Sequence, residues 1–229
     1  MKTSKGPKSV RYYPVFLNIG GKKCVVVGGG EVALRKVNTL LECDGKVTVV
    51  SPKPLPEIAA LSEEGAVHLV RRDYEAGDLR GAVIAVASTD VEQINRKVAH
   101  QAKKEGVLIN VVDDPEQSDY IVPALFRRGD LTVAVSTGGT SPALARKIRT
   151  RLEQKIGEEY ASLLSLIGEV RSILKRKGHI VSADAWQSAL DLDSLIELVR
   201  TGHRERAKTD LLTRLGACRM QSEPSPEEK

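Results

Sequence analysis

One stretch near the start of the chain, Val25 to Ala33, constrains the fold more than any other part of the sequence. An apolar run is followed there by three glycines and then by a helical pattern of apolar residues. Gly28, Gly30 and Ala33 fit the spacing G-x-G-x-x-A, which permits a tight turn, close approach of a pyrophosphate and close helix–sheet packing. Free N–H groups at the helix start then face an anion. We therefore predict a Rossmann-type site for a nicotinamide dinucleotide.

Short β-branched runs alternate with helical patterns through the first half of the chain. The predicted strands are Lys23–Val27, Lys46–Val50, Ala66–Val70, Ala82–Ala87 and Val107–Val112, with a further short extended run at Val15–Ile19. The predicted helices are Glu31–Cys43, Pro56–Glu64 and Asp90–Glu105, the last capped by Thr89 or Asp90. Apolar strands separated by helices indicate an α/β fold whose parallel sheet is covered on both faces.

The pattern changes after Asp113. Two strand-like runs, Tyr120–Phe126 and Leu131–Ser136, are joined through Arg128-Gly129-Asp130, which predicts a β-hairpin. A helix is predicted from Ser141 to about Ile156, and amphipathic helices broken near Gly178 and Gly202 are predicted from Glu158 to about Leu215. We expect a Rossmann-type domain over 12–114, a hairpin and helix segment over 115–150, a helical domain over 151–218, and disorder in 1–11 and 219–229.

Composition narrows the classes of function. The net charge of +5 allows a nucleic acid or an acidic small molecule as partner, but 3% aromatic residues argue against a stacking platform for single strands. No apolar run is long enough to span a bilayer, and the polar start is not a secretory signal. Cys24, Cys43 and Cys218 are widely spaced, which favours unbridged cysteines, no metal site and a reduced cytoplasmic location.

The residues that would contact the ribose of the dinucleotide are less regular than the glycine turn. A site for NAD usually has an acid about 20 residues after the glycines, whereas the second strand here runs into Ser51-Pro52-Lys53. Ser51 can bond a ribose hydroxyl and Lys53 can attract a 2′-phosphate, so these residues leave NAD and NADP both open. Ser88 and Thr89 end the fourth strand and are placed either to line the cofactor or only to cap the next helix.

A carboxylate follows the fifth strand on the same side of the sheet. Asp113 comes directly after Asn110-Val111-Val112, where it would lie near a bound nicotinamide and could accept a proton as hydride leaves the substrate. The alternative is that Asp113 and Asp114 only start a turn before Pro115. His100, within the preceding helix, is interpreted as a solvated or partly packed side chain.

A second candidate anion site lies at Ser136 to Pro142. This stretch follows a strand and opens a helix, with Pro142 suited to the first helical position and Thr140 or Ser141 to the cap. Backbone N–H groups and hydroxyls at a positive helix end attract anions. Nearby basic residues strengthen the pattern: Arg127, Arg128, Arg146, Lys147, Arg149 and Arg151. The alternative is an ordinary cap followed by a solvated basic face.

Together these motifs resemble the precorrin-2 dehydrogenase family, the N-terminal module of siroheme synthase. The matching segments are Tyr13–Leu17, Val25–Ala33, Asn110–Asp113 and Val133–Ala145, and the resemblance runs in order from about Tyr12 to Leu152. It implies NAD-dependent oxidation of precorrin-2 to sirohydrochlorin by a homodimer, with residues 115–150 as the dimerisation segment and the helical part helping to close the site. Some members also insert Fe²⁺ into sirohydrochlorin.

The resemblance also implies roles for individual residues. Asp113 falls at the catalytic aspartate and would be the general base. The expected contacts to NAD are Gly28, Gly29, Gly30, Glu31, Val32, Ser51, Pro52, Lys53, Ser88 and Thr89. The expected contacts to the substrate, a polycarboxylate, are Asn110, Ser136, Thr137, Gly138, Gly139, Thr140, Ser141 and Arg146. No resident metal is expected.

Two departures from the family pattern qualify these implications. Some relatives have two serines where this chain has Ser136-Thr137, which puts in doubt any role that needs the second serine. A methyltransferase domain that some members carry is missing, so precorrin-2 is expected to come from another protein. The alternatives to a dehydrogenase are a non-enzymatic NAD(H)-sensing dimer, an NADP-linked reductase of another small acid, and a nucleic-acid-binding regulator.

Overall fold

A computed structural model describes residues 11–216 of the chain. The described residues divide between Val122 and Pro123 into two compact units. The predicted disorder in 1–11 and 219–229 falls, apart from Arg11, outside the described residues, and so does Cys218. The predicted domain boundaries at residues 114 and 150 stay predictions.

The first unit is an α/β layer structure around a five-stranded parallel sheet of order β3-β2-β1-β4-β5. Its strands are β1 (Lys23–Val27), β2 (Lys46–Val50), β3 (Val67–Val70), β4 (Ile84–Ala87) and β5 (Leu108–Val111). Its helices are α1 (Glu31–Leu41), α2 (Pro56–Glu63) and α3 (Glu92–Glu105), followed by a short 3-10 turn at Pro115–Gln117. The predicted α/β fold with a parallel sheet is confirmed.

Successive strand residues pack on opposite faces of this sheet, as the pleat requires. Cys24 and Val26 of β1 belong to the core cluster that includes Ala33 and Val37 of α1. Val25 and Val27 belong to the cluster on the other face, which is covered by α3 through its buried apolar residues. Because both faces are buried, most residues of the strands are apolar, and this composition made the strands predictable from the sequence.

The second unit begins with a two-stranded antiparallel hairpin of β6 (Ala124–Arg128) and β7 (Leu131–Val135). Arg128 pairs with Leu131, so the turn is Gly129-Asp130 with Gly129 at φ +55°. The five helices that follow are α4 (Pro142–Lys155), α5 (Glu159–Arg176), α6 (Ala183–Ala189), α7 (Leu192–Arg200) and α8 (Arg204–Arg214). The predicted hairpin and helical region are confirmed.

One side chain joins the hairpin to the end of α4. The Arg128 guanidinium donates to the carbonyl oxygens of Ile156 at 3.1 Å and Glu153 at 3.3 Å, and it lies 5.4 Å from the centre of the Phe126 ring. It also pairs with the carboxylates of Glu153 and Glu158. Arg128 therefore satisfies carbonyl groups that the end of α4 leaves without helical partners.

Several predicted boundaries are wrong. The first strand of the hairpin is Ala124–Arg128 and not Tyr120–Phe126, because residues 118–120 bind back onto β5. The break between α6 and α7 had no glycine to mark it; Asp191 caps α7 instead, accepting from the Ser194 amide at 3.3 Å.

Candidate functional site

The predicted cofactor residues of the first unit meet at the carboxyl ends of β1, β2 and β4. Gly28 follows β1 with φ +127°, and its amide donates to the Val50 carbonyl oxygen at 3.0 Å. A side chain at Gly28 would place its first carbon 2.5 Å from the carbonyl oxygen of Ser88. Both the φ angle and the lack of space require glycine at this position.

Gly29 is confined by the loop after β2. An added carbon at Gly29 would lie 2.7 Å from the Cα atom of Pro54, and the Leu55 amide donates to the Gly29 carbonyl oxygen at 2.9 Å. Gly29 is therefore a packing position, which the motif spacing did not reveal.

Gly30 differs from the two glycines before it. An added carbon there would meet no atom of residues 11–216 within 4 Å, and the φ of Gly30 is an ordinary −88°. The internal packing of the described residues therefore does not require glycine at this position. Gly30 is the N-cap of α1 and offers no side-chain cap, so the first N–H groups of α1 face outward. Open space beside uncapped helix N–H groups is the arrangement that a pyrophosphate requires.

The residues after β2 form the rim of this turn. Ser51 is only 4% exposed, and its Oγ accepts from the Lys53 amide at 3.3 Å. Pro52 and Lys53 are exposed. Glu31 is exposed and Val32 half-buried at the start of α1, while Ala33 is buried against the sheet as its spacing predicted.

The polar residues after β4 are engaged with their neighbours. The Ser88 hydroxyl donates to the Val27 carbonyl oxygen at 3.2 Å. The Thr89 hydroxyl donates to Asn95 Oδ1 at 2.8 Å and accepts from the Val91 amide at 3.2 Å. The predicted capping of α3 by Thr89 or Asp90 is wrong: the N-cap is Val91, without a side-chain cap, because Thr89 instead binds Asn95 within the helix.

The two consecutive aspartates after β5 have different surroundings. The Asp114 carboxylate starts the turn, accepting from the backbone amide of Gln117 at 3.2 Å and from its side-chain amide at 2.6 Å. Asp113 is exposed, adopts a left-handed conformation with φ +61°, and has no hydrogen bond from its carboxylate to any described residue. The role of turn starter therefore belongs to Asp114, which leaves the Asp113 carboxylate available for chemistry.

Asn110 of β5 is a buried residue that joins this strand to the segment around Tyr120. It is 9% exposed, and its amide group donates to the Tyr120 carbonyl oxygen at 3.0 Å. The Tyr120 hydroxyl donates in turn to the Ala85 carbonyl oxygen at 3.3 Å, and burial raises the pKa of Tyr120. Tyr120 is thus a packing residue that the sequence pattern had placed in a strand, and a buried Asn110 has little surface for the predicted substrate contact.

The second candidate anion site lies wholly in the second unit. Ser141 caps α4 by accepting from the Leu144 amide at 3.2 Å, and Pro142 begins the helix, as predicted. The remaining donors are partly used within the loop: the Gly138 amide binds Ser136 Oγ at 3.1 Å and the Ser141 amide binds Thr137 Oγ1 at 3.0 Å. Thr140 also donates, from its amide to the Thr137 carbonyl oxygen.

Fewer free donors remain there than the sequence suggested. Of the backbone amides from Gly138 to Leu144, those of Gly139 and Ala143 have no hydrogen-bond partner within residues 11–216. Of the basic residues on α4, Arg149 is paired with Glu153, whereas Arg146, Lys147 and Arg151 are exposed without an ion pair to any described residue. The site therefore depends on these three side chains more than on the helix end.

Other candidate chemistry is absent from the described part of the chain. No group of three or more His, Cys, Asp or Glu residues there could hold a metal ion. Cys24 is fully buried in β1, and burial raises its pKa to about 11, so this thiol is unreactive near neutrality. His100 is exposed on α3, as interpreted from the sequence. None of the helices between residues 11 and 216 has both the length and the apolar character to cross a membrane.

Two protein-family models match different parts of the chain. Residues 15–124 match a family model described as NAD(P)-binding, and residues 128–155 match one described as sirohaem biosynthesis protein central. A nicotinamide cofactor is therefore supported for the first unit.

Whole proteins similar to this chain include siroheme synthases. Those of Chromobacterium violaceum and Methylobacillus flagellatus are 39% identical over 210 residues and 42% identical over 164 residues. These alignments cover 91% and 72% of this chain but 44% and 35% of the relatives, so the chain spans less than half of their length.

One solved structure extends the similarity across the fold. SirC, a precorrin-2 dehydrogenase, is 26% identical, with a TM-score of 0.67 over 90% of this chain and 99% of SirC. The predicted order of an α/β domain, a hairpin segment and a helical region is confirmed by this likeness.

Proposed function

Because the chain is related to the siroheme synthases and shares the fold of the precorrin-2 dehydrogenase SirC, we propose that it oxidises precorrin-2 to sirohydrochlorin. The observation that carries the proposal is the pairing of two features at one edge of a sheet. The Gly30 turn leaves open space beside uncapped helix N–H groups, and the Asp113 carboxylate accepts no hydrogen bond from any of residues 11–216.

The residues of the first unit fit a nicotinamide dinucleotide. The N–H groups at the start of α1 would hold the pyrophosphate, since Gly30 presents no side chain there. Ser51, Pro52 and Lys53 would lie along the ribose. When bound, the nicotinamide supplies a hydride acceptor. We propose NAD⁺ as the acceptor, as in the family, and binding of NAD⁺ and NADP⁺ by calorimetry tests that choice.

Asp113 is suited to accept the proton that the substrate loses when its hydride passes to the nicotinamide. Conversion of precorrin-2 to sirohydrochlorin removes two electrons as a hydride and also a proton. A carboxylate with no hydrogen bond from its own fold can accept that proton, and positioned general bases contribute about 10²- to 10⁴-fold in rate.

We propose that the substrate carboxylates bind the second unit. Precorrin-2 is a polycarboxylate, and the exposed cations Arg146, Lys147 and Arg151 of α4 match its charge. The free amides of Gly139 and Ala143 add two donors at the positive end of the same helix.

We also propose that the chain forms a homodimer through α4 and the hairpin. Leu144 is 50% exposed and Ile148 38% exposed, one helical turn apart on α4. Together with Arg146, Lys147 and Arg151, they line a concavity of about 620 Å³ whose described lining comes from α4 alone. An apolar row on a helix that builds one side of a concavity fits a second copy. Sedimentation of the chain and of Leu144→Glu tests this, with a dimer expected for the first and a monomer for the second.

The experiment for the activity is anaerobic. Precorrin-2 and NAD⁺ are supplied to the purified chain, and NADH and sirohydrochlorin are followed by absorbance. We expect the two products in equal amounts, and we expect this reaction in the cytoplasm. An NAD(H) sensor would bind the dinucleotide and form neither product, and an NADP-linked reductase would bind NADP⁺ more tightly than NAD⁺.

A further inference from the structure

The carboxyl ends of β2 and β3 lie side by side, next to the glycine turn that follows β1. Val50 of β2 pairs with Val70 of β3, and the Ser51 amide donates to the Val70 carbonyl oxygen at 3.0 Å. Neighbouring strands of a sheet are about 4.8 Å apart. Arg71, the first residue after β3, therefore comes beside Ser51, where the rim of the turn begins.

This part of the sheet is where a dinucleotide places the ribose of its adenosine half. The group after the second strand usually holds the ribose hydroxyls and is commonly an acid, whereas a nearby arginine accommodates a 2′-phosphate. Here β2 runs into Ser51–Leu55 and β3 into Arg71 and Arg72, and these residues include cations but no carboxylate. The ends of both strands therefore lack the negative charge that would repel a phosphate on the ribose.

The two arginines after β3 have different surroundings. The Arg72 guanidinium forms a fork with the Asp78 carboxylate at 2.7 and 2.9 Å and donates to the Asp73 carbonyl oxygen at 2.8 Å. The Glu75 amide donates to the same Asp78 carboxylate at 2.9 Å, so Arg72 is used to hold the loop after β3. Arg71 is exposed, and its side chain has no hydrogen bond or ion pair with any of residues 11–216. Its guanidinium is therefore available to a ligand.

Lys53 brings a second cation to the same place. Its amide donates to Ser51 Oγ at 3.3 Å, and an added carbon at Gly29 would lie 2.9 Å from its carbonyl oxygen. The Lys53 backbone is thus held between the end of β2 and the glycine turn. Its side chain is exposed and pairs with no carboxylate in the described part of the chain. Arg71 and Lys53 therefore flank Ser51, one from the neighbouring strand and one from the loop.

The charge of this pair indicates the chemistry of its ligand. An uncharged 2′-hydroxyl, as in NAD⁺, would form no ion pair with either cation. A 2′-phosphate presents several oxygens to the planar fork of Arg71 and to the point charge of Lys53. The exposed carboxylates closest in sequence, Glu57 of α2 and Asp73, form no ion pair with either cation. A ribose 2′-phosphate therefore fits the pair better than a ribose hydroxyl does.

We propose that Arg71 and Lys53 form a subsite for a ribose 2′-phosphate, so that the dinucleotide turn accepts NADP⁺ as well as NAD⁺. This inference rests on the dinucleotide site of the proposed function and adds a second cofactor to it. The subsite lies at the adenosine end, so it determines which dinucleotide binds and takes no part in the transfer of hydride.

The test measures binding by calorimetry, so it needs no turnover. The ligands are NAD⁺, NADP⁺, adenosine 5′-monophosphate and adenosine 2′,5′-bisphosphate, the last two carrying only the adenosine end. Wild type, Arg71→Ala, Arg71→Lys and Arg80→Ala are compared. Arg80 is also exposed, and its carbonyl oxygen accepts from Lys23 at the amino end of β1, so Arg80→Ala is a matched control at the opposite edge of the sheet.

We expect wild type to bind NADP⁺ with a Kd no more than about tenfold above that of NAD⁺. Arg71→Ala should weaken NADP⁺ and the 2′,5′-bisphosphate about tenfold and leave NAD⁺ within about twofold. Arg71→Lys should lose less, because it keeps the charge without the fork. Added salt should weaken NADP⁺ more steeply than NAD⁺ in wild type, and Arg71→Ala should reduce this difference. Arg80→Ala should bind all four ligands as wild type does.

Two results would overturn the subsite and leave the proposed oxidation standing. One is an NADP⁺ Kd in wild type more than about tenfold above that of NAD⁺. The other is an equal loss, or no loss, of the two dinucleotides in Arg71→Ala. Thermal unfolding checks that this variant is folded, and if it is not, the same comparison in Arg71→Lys decides. Failure of wild type to bind either dinucleotide would instead overturn the proposed function.

Discussion

Ser88 occupies the space that a side chain at Gly28 would need: an added carbon there would lie 2.5 Å from the Ser88 carbonyl oxygen and 2.9 Å from its hydroxyl. The first glycine of the turn is thus required by β4, and not only by a ligand. Gly30 has no such neighbour within 4 Å. Gly28 is therefore required by the packing of the fold and Gly30 by the ligand, and substitutions at the two positions should have different effects on stability and on binding.

Gly28→Ala should destabilise the first unit. The backbone at φ +127° lies in a region that residues with a side chain avoid, and the backbone of Ser88 is held in place because its amide donates to the Val27 carbonyl oxygen at 2.8 Å. We expect a loss of about 1–3 kcal/mol in the free energy of unfolding, measured by urea denaturation.

Gly30→Ala is the matched variant. The new methyl group would meet no atom in the described part of the chain, so the free energy of unfolding should change by less than about 0.5 kcal/mol. Binding of NAD⁺ should weaken about tenfold or more, because the methyl group enters the space that the pyrophosphate needs. Unchanged NAD⁺ affinity in Gly30→Ala would contradict the placement of the pyrophosphate at this turn.

Lys53 tests the choice of dinucleotide. Its side chain is exposed beyond β2, where it could form an ion pair with a 2′-phosphate but at most a neutral-acceptor hydrogen bond with a 2′-hydroxyl. Lys53→Ala should weaken NADP⁺ about fivefold and leave NAD⁺ within about twofold, as measured by calorimetry. Lys22→Ala, at the opposite end of β1, should change neither affinity. Equal loss of both dinucleotides in Lys53→Ala would place its contact on the shared part of the cofactor.

Arg128 tests the packing of the second unit. Its side chain, 18% exposed, donates to the carbonyl oxygens of Ile156 and Glu153 and pairs with two carboxylates. Arg128→Met should cost about 2–4 kcal/mol, because these acceptors lose a charged donor. Arg128→Lys should restore only part of it, since an ammonium group lacks the guanidinium fork. Full stability of Arg128→Met by thermal unfolding would contradict the assignment.

Iron insertion into sirohydrochlorin tests whether Asp113 serves a second reaction. If the chain has this activity, Asp113 would again accept protons, in this case from the pyrrole nitrogens as Fe²⁺ enters. Asp113→Ala should then abolish the Fe²⁺-dependent loss of sirohydrochlorin absorbance without oxygen. Iron insertion at the wild-type rate in this variant would show that the two reactions do not share a base.

Local patterns predicted those parts of the fold that are buried on both faces. The bounds of β1 and β2 agree with prediction, because turns flank both strands and their interiors consist mostly of buried β-branched residues. The segment after β5 was misassigned, because Asp119 and Tyr120 bind β5 through contacts that a local pattern cannot show. The α6–α7 break was missed since an aspartate cap replaces the expected glycine.

In the candidate site, too, the sequence predicted some features, and others depend on tertiary contacts. Spacing alone placed the glycines and Asp113 at one edge of the sheet, as the parallel topology requires. It could not separate Asp113 from Asp114, because the difference depends on the hydrogen bonds of Gln117. The site residues themselves stay predictions until they are substituted.

The most direct measurement is a single-turnover oxidation of precorrin-2 with excess NAD⁺, without oxygen, by wild type and Asp113→Asn. Asparagine tolerates the left-handed backbone at φ +61°, so the variant should fold and bind NAD⁺ as wild type does. We predict that wild type forms NADH and sirohydrochlorin in equal amounts and that Asp113→Asn is at least about 10²-fold slower. Product formation by Asp113→Asn at the wild-type rate, or none by wild type, would contradict the account.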